Sequence, residues 1–231
     1  MHNLAALLLG WALAAGIVSI PATAECPGLS SGPAPTTSAT LDPAHSAVHF
    51  TLGAFLHAVH GTFAVRSGSL CWDPGSGMAS GAIVISAASG TSGNSGRDKD
   101  MRNQVLLVGR YPEIVFTPGR LSGIVAPAGT SHVTVHGTLA LEGLTHPLDL
   151  PLTIEVTGNA FVAQGRVEIP YVAWGLHDPS RALLRVAKSV TLDFDAAGSI
   201  AAPSAARQPA GPRSREPGPR PKRERPPPRY R

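Results

Sequence analysis

The chain has 231 residues, 43% of them hydrophobic but only 5% aromatic, and a net charge of +4. Nine Lys and Arg against Glu216 and Glu224 give residues 203–231 a net +7, leaving −3 for everything before them. The basicity is therefore a property of one Pro/Arg-rich end, and nucleic-acid binding by the rest of the chain is not indicated.

Residues 4–20 form an apolar run without Lys or Arg before it, and Ala22-Thr23-Ala24 supplies small residues ahead of Glu25. This pattern predicts a secretory signal peptide over 1–24 and a periplasmic or secreted protein. An uncleaved anchor is the weaker alternative, because the run is shorter than the ~20 residues of a membrane span. A flexible Pro/Ser/Thr-rich lead is expected over 25–39, one domain over 40–199, and a disordered basic tail over 200–231. About 160 residues suffice for a core without staples. In an oxidising compartment Cys26 and Cys71 either pair as a disulfide or leave Cys71 lone and half-buried.

Eight strands are predicted, at 41–52, 61–72, 79–88, 113–121, 131–142, 147–157, 160–170 and 186–195. In 148–156 every even position is apolar, so one face is greasy and the other meets water. Turn residues such as Asp73-Pro74-Gly75, Glu142-Gly143 and Gly158-Asn159 separate neighbours at hairpin distance. The one longer gap predicts a helix near 98–106, with Met101 and Val105 on one face and Tyr111-Pro112 ending it. Eight short antiparallel strands with one helical crossover predict an all-β, closed or nearly closed barrel, since closure removes exposed edges.

Alternation assigns the inner wall. Val48, Phe50, Leu52, Phe63, Val65, Ile83, Ile85, Ile114 and Phe116 face inward from the first half. Val133, Val135, Leu139, Leu141, Leu148, Leu150, Leu152, Ile154, Val156, Val167, Ile169, Val190, Leu192 and Phe194 do so from the second. These are mostly medium-sized aliphatics, and a barrel of this size is either filled by its side chains or holds one ligand. The shortage of bulky fillers favours a cavity. Met101 and Val105 would border it, and Trp174 would stand near its rim.

No catalytic or metal motif stands out. His45, His49, His132 and His136 share the outward parity, and His57 and His60 flank a loop. The metalloprotease and cupin patterns are absent, so surface histidines are expected and no metal or cofactor. The Ser/Gly segment 86–96 matches neither a nucleophile elbow nor a phosphate loop and reads as a connection into the helix. Arg97-Asp98 at its end reads as an ion pair or helix cap.

Several passages, in order, resemble the YceI-like family of polyisoprenoid-binding periplasmic proteins. Asp42-Pro43-Ala44-His45-Ser46-Ala47-Val48-His49-Phe50 is similar to the family's opening, and Gly61-Thr62-Phe63 to its next strand. Arg97-Asp98 with Tyr111-Pro112-Glu113-Ile114-Val115-Phe116 resembles its central passage, and 137–146 its Gly-x-Leu signature. Trp174-Gly175-Leu176 and 190–194 fit its closing segments. The helix departs from the family, having Met101 to Leu107 where an aromatic pair is usual, and the tail has no counterpart.

The resemblance implies an eight-stranded antiparallel, lipocalin-like barrel holding a long isoprenoid chain without catalysis. The expected ligand is a non-covalently bound quinone or polyprenyl lipid. The basic tail is expected to touch anionic membrane or to be a solvated extension without a role. Two other readings stay open: a ligand-free envelope stress or interaction domain, and an enzyme acting on a barrel-bound lipid. Nothing in the sequence sets the oligomeric state.

Overall fold

A computed structural model describes residues 36–55, 57–180 and 185–204. Nine strands alternate in the chain: β1 (Thr36–Leu41), β2 (Ala47–Leu52), β3 (Val59–Trp72), β4 (Ala79–Ser86), β5 (Glu113–Ser122), β6 (Gly129–Leu141), β7 (Leu144–Thr157), β8 (Ala160–Ile169) and β9 (Val190–Ser204). All pairings are antiparallel, and the sheet runs from β2 through β9, β8, β7, β6, β5 and β4 to β3, which pairs back with β2. The result is a closed eight-stranded barrel.

The ninth strand arises because the first staves of the barrel are one strand broken in two. β1 bridges β3 and β9 at one end of the barrel, and β2 bridges the same two strands at the other. Pro43, which has no N–H to give a ladder, opens a single 3₁₀ turn at Pro43–His45 between them. Asp42 Oδ1 accepts the Ala44 N–H at 2.9 Å and its other oxygen meets His45 Nδ1 at 2.7 Å. Across the break, the Ser46 hydroxyl donates to the Ala197 carbonyl and accepts from the Ala197 N–H, at 3.3 and 3.2 Å. The Asp-Pro-Ala-His-Ser passage is thus a strand break whose orphaned backbone groups are satisfied locally.

The two largest shifts from the predicted strand bounds are in the first and last strands. The first strand begins at Thr36, inside the expected flexible lead, and the last runs to Ser204, inside the expected tail. Each is ordered by the other, since β1 and β9 pair from Leu41↔Gly198 to Thr36↔Ser204. Neither segment has enough alternation to announce itself alone. The expected signal peptide, most of the expected lead, and the tail beyond Ser204 lie outside the described residues.

The interior divides along the barrel axis. At the β1 end it is solid: Val65, Trp72, Leu121, Val133, Val135, Ile154, Val156 and Phe161 are buried together. At the β2 end the same parity of residues surrounds a void. Cys71, on β3 at the solid end, is buried at 2% exposure rather than half-buried, and it is disulfide-bonded. Cys26, the only other cysteine of the chain, lies outside the described residues.

Candidate functional site: an apolar cavity with a polar mouth

The void is a cavity of about 510 Å³, within the ~300–1,000 Å³ typical of ligand pockets. Val48, Phe50 and Leu52 of β2, Phe63 of β3, Ile83 and Ile85 of β4, and Ile114 and Phe116 of β5 line it. Leu139 and Leu141 of β6, Leu150 of β7, Ile169 of β8, and Leu192 and Phe194 of β9 complete the wall, with Met101 and Val105 at the helical side. Every strand of the closed barrel contributes, because each presents alternate side chains inward and water-facing ones outward.

Two inner-wall glycines keep the space open. An added Cβ at Gly61 would lie 2.3 Å from Phe50 Cζ, and one at Gly137 would lie 2.8 Å from Phe116 Cζ. Both rings therefore lie back against bare backbone on the neighbouring strand instead of projecting across the lumen. Phe50 also meets Phe63 in a tilted contact, with ring centroids 5.3 Å apart.

Two predicted residues are placed elsewhere. Leu152 has the inward parity but belongs to the solid half, its Cδ2 lying 2.6 Å from where a Gly165 Cβ would be, and it is not in the cavity wall. Trp174 does not line the cavity either. It stacks on His146 at 4.3 Å with the rings 3° from parallel. Parity tells inside from outside, but it cannot tell one end of a barrel from the other.

The mouth contains residues that alternation could not reveal. Ser92, Asn94, Arg97 and Asp100 reach it from the crossover, His57 from the β2–β3 loop, and Tyr171, Leu176, Pro179 and Val186 from the segment before β9. The crossover is short: α1 (Ser95–Asp100) is capped by Asn94, whose Oδ1 accepts the Arg97 N–H at 3.0 Å. The helix then widens into a π-turn at Met101–Val105, with Leu106 N–H bonding Met101 O at 2.9 Å. The expected helix at 98–106 thus starts earlier and ends as a π-turn, which brings Met101, Val105 and Leu106 to the cavity together.

Arg97 and Asp98 neither pair with each other nor cap the helix. Asp98, 5% exposed, accepts from the Ser92 N–H at 2.8 Å, the Thr91 hydroxyl at 3.2 Å and the Ser92 hydroxyl. Those bonds, the Ser92 hydroxyl first, hold its carboxyl below the ordinary aspartate range. Arg97 donates to Ser92 Oγ and Ser92 O at 2.7 and 2.9 Å, and Arg102 to Gly90 O at 3.0 Å. The Ser/Gly segment is therefore fastened to the helix across one side of the mouth. Opposite, the Tyr171 hydroxyl donates to Ala187 O at 2.8 Å, and burial pushes its pKa up to about 12.

The outward histidines meet polar neighbours: His49 meets Asp195 at 3.5 Å, His60 meets Thr51 at 3.1 Å, and His132 meets Thr153 at 3.1 Å. Among the described residues no group of three or more His, Cys, Asp or Glu could hold a metal ion.

The YceI-like domain pattern matches residues 40–197. The chain belongs to the YceI-like family. The YceI-like barrel is also similar to two solved structures. BcnA from Burkholderia cenocepacia is 18% identical, with a TM-score of 0.55 over 68% of this chain and 98% of that one. A polyisoprenoid binding domain from Saccharophagus degradans, implicated in plant cell wall breakdown, is 19% identical, with a TM-score of 0.54 over 71% and 98%. At these identities the likeness is one of fold. No curated protein matches the sequence.

The family's recurrent passages now have physical roles in this YceI-like chain. Glu142 and Gly143 form a hairpin turn with φ of 52° and 75°, the left-handed pair that matches strand twist. A Cβ on Gly143 would lie 2.6 Å from the Tyr111 ring, so the Tyr-Pro passage packs on the Gly-x-Leu hairpin. These motifs build the end of the barrel that carries the mouth.

Proposed function

We propose that this protein is exported and carries an isoprenoid lipid of the quinone or polyprenyl type, its chain in the barrel and its head group at the polar mouth, without altering it chemically. The observation that carries this reading is the cavity inside the barrel, whose wall is apolar on all eight strands and whose polar residues gather at its mouth. A linear amphiphile matches that division. Each five-carbon unit buried there contributes about 3 kcal/mol gross, so about four to eight units supply the ~8 kcal/mol of micromolar binding together with ~4–15 kcal/mol of association costs. The polyisoprenoid binding domain with the same fold supports the ligand class. A disulfide at Cys71 supports export, since such bonds persist in oxidising compartments.

Mass spectrometry of the organic extract from protein isolated from its native envelope tests the reading. About one isoprenoid lipid per barrel is expected. An extract without stoichiometric lipid would overturn it and leave the ligand-free interaction domain in its place.

A further inference from the structure

The outer face of the barrel carries a second arrangement that lipid carriage does not use. His136 of β6 points outward between Ser122 of β5 and Asp149 of β7. Its Nδ1 lies 2.7 Å from Asp149 Oδ1 and its Nε2 lies 2.9 Å from Ser122 Oγ. A carboxylate only accepts, so Asp149 fixes the proton on Nδ1 and leaves the Nε2 lone pair for the Ser122 hydroxyl. A nucleophile on a base, and the base held by a third group, is the geometry of an activated hydroxyl.

Backbone irregularity, not strand parity, puts Ser122 there. Ile114, Phe116 and Pro118 alternate inward, which would send Ser122 inward as well. The register slips between Pro118 and Arg120, after which Leu121 is buried and Ser122 stands beside His136. The slip is anchored by the Leu121 N–H bond to Gly77 O at 2.7 Å. Bulges of this kind re-aim side chains beside active sites. Ser122 also opens onto a shallow groove lined by Thr134, Pro151, Gln164 and Arg166, so the hydroxyl has space for a partner.

We propose that Ser122, His136 and Asp149 form an acyl-transfer site for small carboxylic esters, independent of the lipid cavity. Ser122 Oγ attacks the ester carbonyl carbon while its proton passes to His136 Nε2. The C–O bond to the leaving group then breaks, and the departing alkoxide takes that proton. Water repeats the sequence on the acyl-serine, releasing the acid and restoring the hydroxyl. Asp149, which touches no reacting atom, is a positioning residue that holds the imidazole and steadies its cationic form. The His136 and Asp149 side chains are 38% and 70% exposed, so the site is wet and suits esters with good leaving groups rather than amides.

The experiment treats the full chain with a fluorophosphonate probe and with p-nitrophenyl acetate. One probe adduct on the peptide containing Ser122 is expected, together with acetate ester turnover, and S122A should lose both. H136Q should slow labelling at least a hundredfold, the lower end of general-base effects of about 10²–10⁴. D149N should slow it less while leaving the melting temperature unchanged, which separates positioning from a merely structural bond. None of the three side chains lines the cavity, so the variants should keep its lipid content. Absence of an adduct on the wild-type chain, or equal labelling rates in H136Q, would overturn the proposal.

Discussion

Leu150 and Leu152 share a strand, a parity and a side chain, yet they meet different surroundings. Leu150 is 5% exposed and lines the cavity, whereas Leu152 fills the space above Gly165 in the solid half. Substitutions should therefore read out differently at the two sites. Leu150→Glu places a charge where no partner faces it, and an uncompensated buried charge costs about 3–5 kcal/mol. It should both empty the cavity of lipid and lower the melting temperature. Leu152→Phe crowds packed wall instead, at about 1–3 kcal/mol, and should leave the chain-length distribution of the bound lipid unchanged. Thermal melts with mass spectrometry of the extracts check both outcomes. A shifted lipid profile in Leu152→Phe would place that residue on the cavity after all.

Among the elements, the crossover between β4 and β5 depends most on a single side chain. Asp98 ties the Ser/Gly segment to α1 through Thr91 and Ser92, and β3 receives the same segment through the Thr62↔Thr91 bridge. Asp98→Ala removes the acceptor of three bonds, and bonds to charged groups contribute about 1.5–3 kcal/mol net each. The segment should exchange its amide hydrogens faster while the β5–β8 wall stays protected. Acid should mimic the mutation. Because the folded-state pKa is depressed, the contribution is complete above the ordinary aspartate value of about 3.9 and is lost as pH falls through the lower folded value. Hydrogen exchange at pH 7 and below pH 3 tests this. Protection of 90–96 that is indifferent to both changes would show that the loop is held by other contacts.

The whole molecule joins a barrel to a chain end of opposite charge. Residues 203–231 carry a net +7 while the rest sums to −3. We propose that this end draws the protein toward anionic membrane, where each basic residue near the surface contributes about 1 kcal/mol. Because β9 runs to Ser204 and pairs there with Thr36, the informative truncation follows Ser204 and spares the strand. The truncated protein should keep its lipid and its melting temperature. It should lose salt-dependent binding to vesicles containing anionic lipid, a dependence expected from screening over ~10 Å at 0.1 M salt. Equal vesicle binding with and without the end, at low salt, would leave a solvated extension without this role.

Much of this architecture is legible in the sequence. Alternation in 148–156 and 190–194 fixed which side chains face inward, because a strand cannot rotate one residue without exposing its whole apolar face. Turn residues placed the hairpins, and the short gaps between strands left closure into a barrel as the way to satisfy the edges. What alternation cannot encode is position along the barrel axis. Phe116, Leu150 and Phe194 border a void, while Val135, Ile154 and Phe161, of the same parity, fill one. That outcome depends on which strands lie across from each other and on where Gly61 and Gly137 let a neighbouring ring fold back. The mouth was equally hidden, since Arg97, Tyr171 and Leu176 reach it from loops that carry no period. The juxtaposition of Ser122 with His136 and Asp149 required both the β5 bulge and the register of three strands. The sequence determined what each strand turns inward; the tertiary structure decided where that inward surface leaves room, because room is set by contacts between residues far apart in the chain.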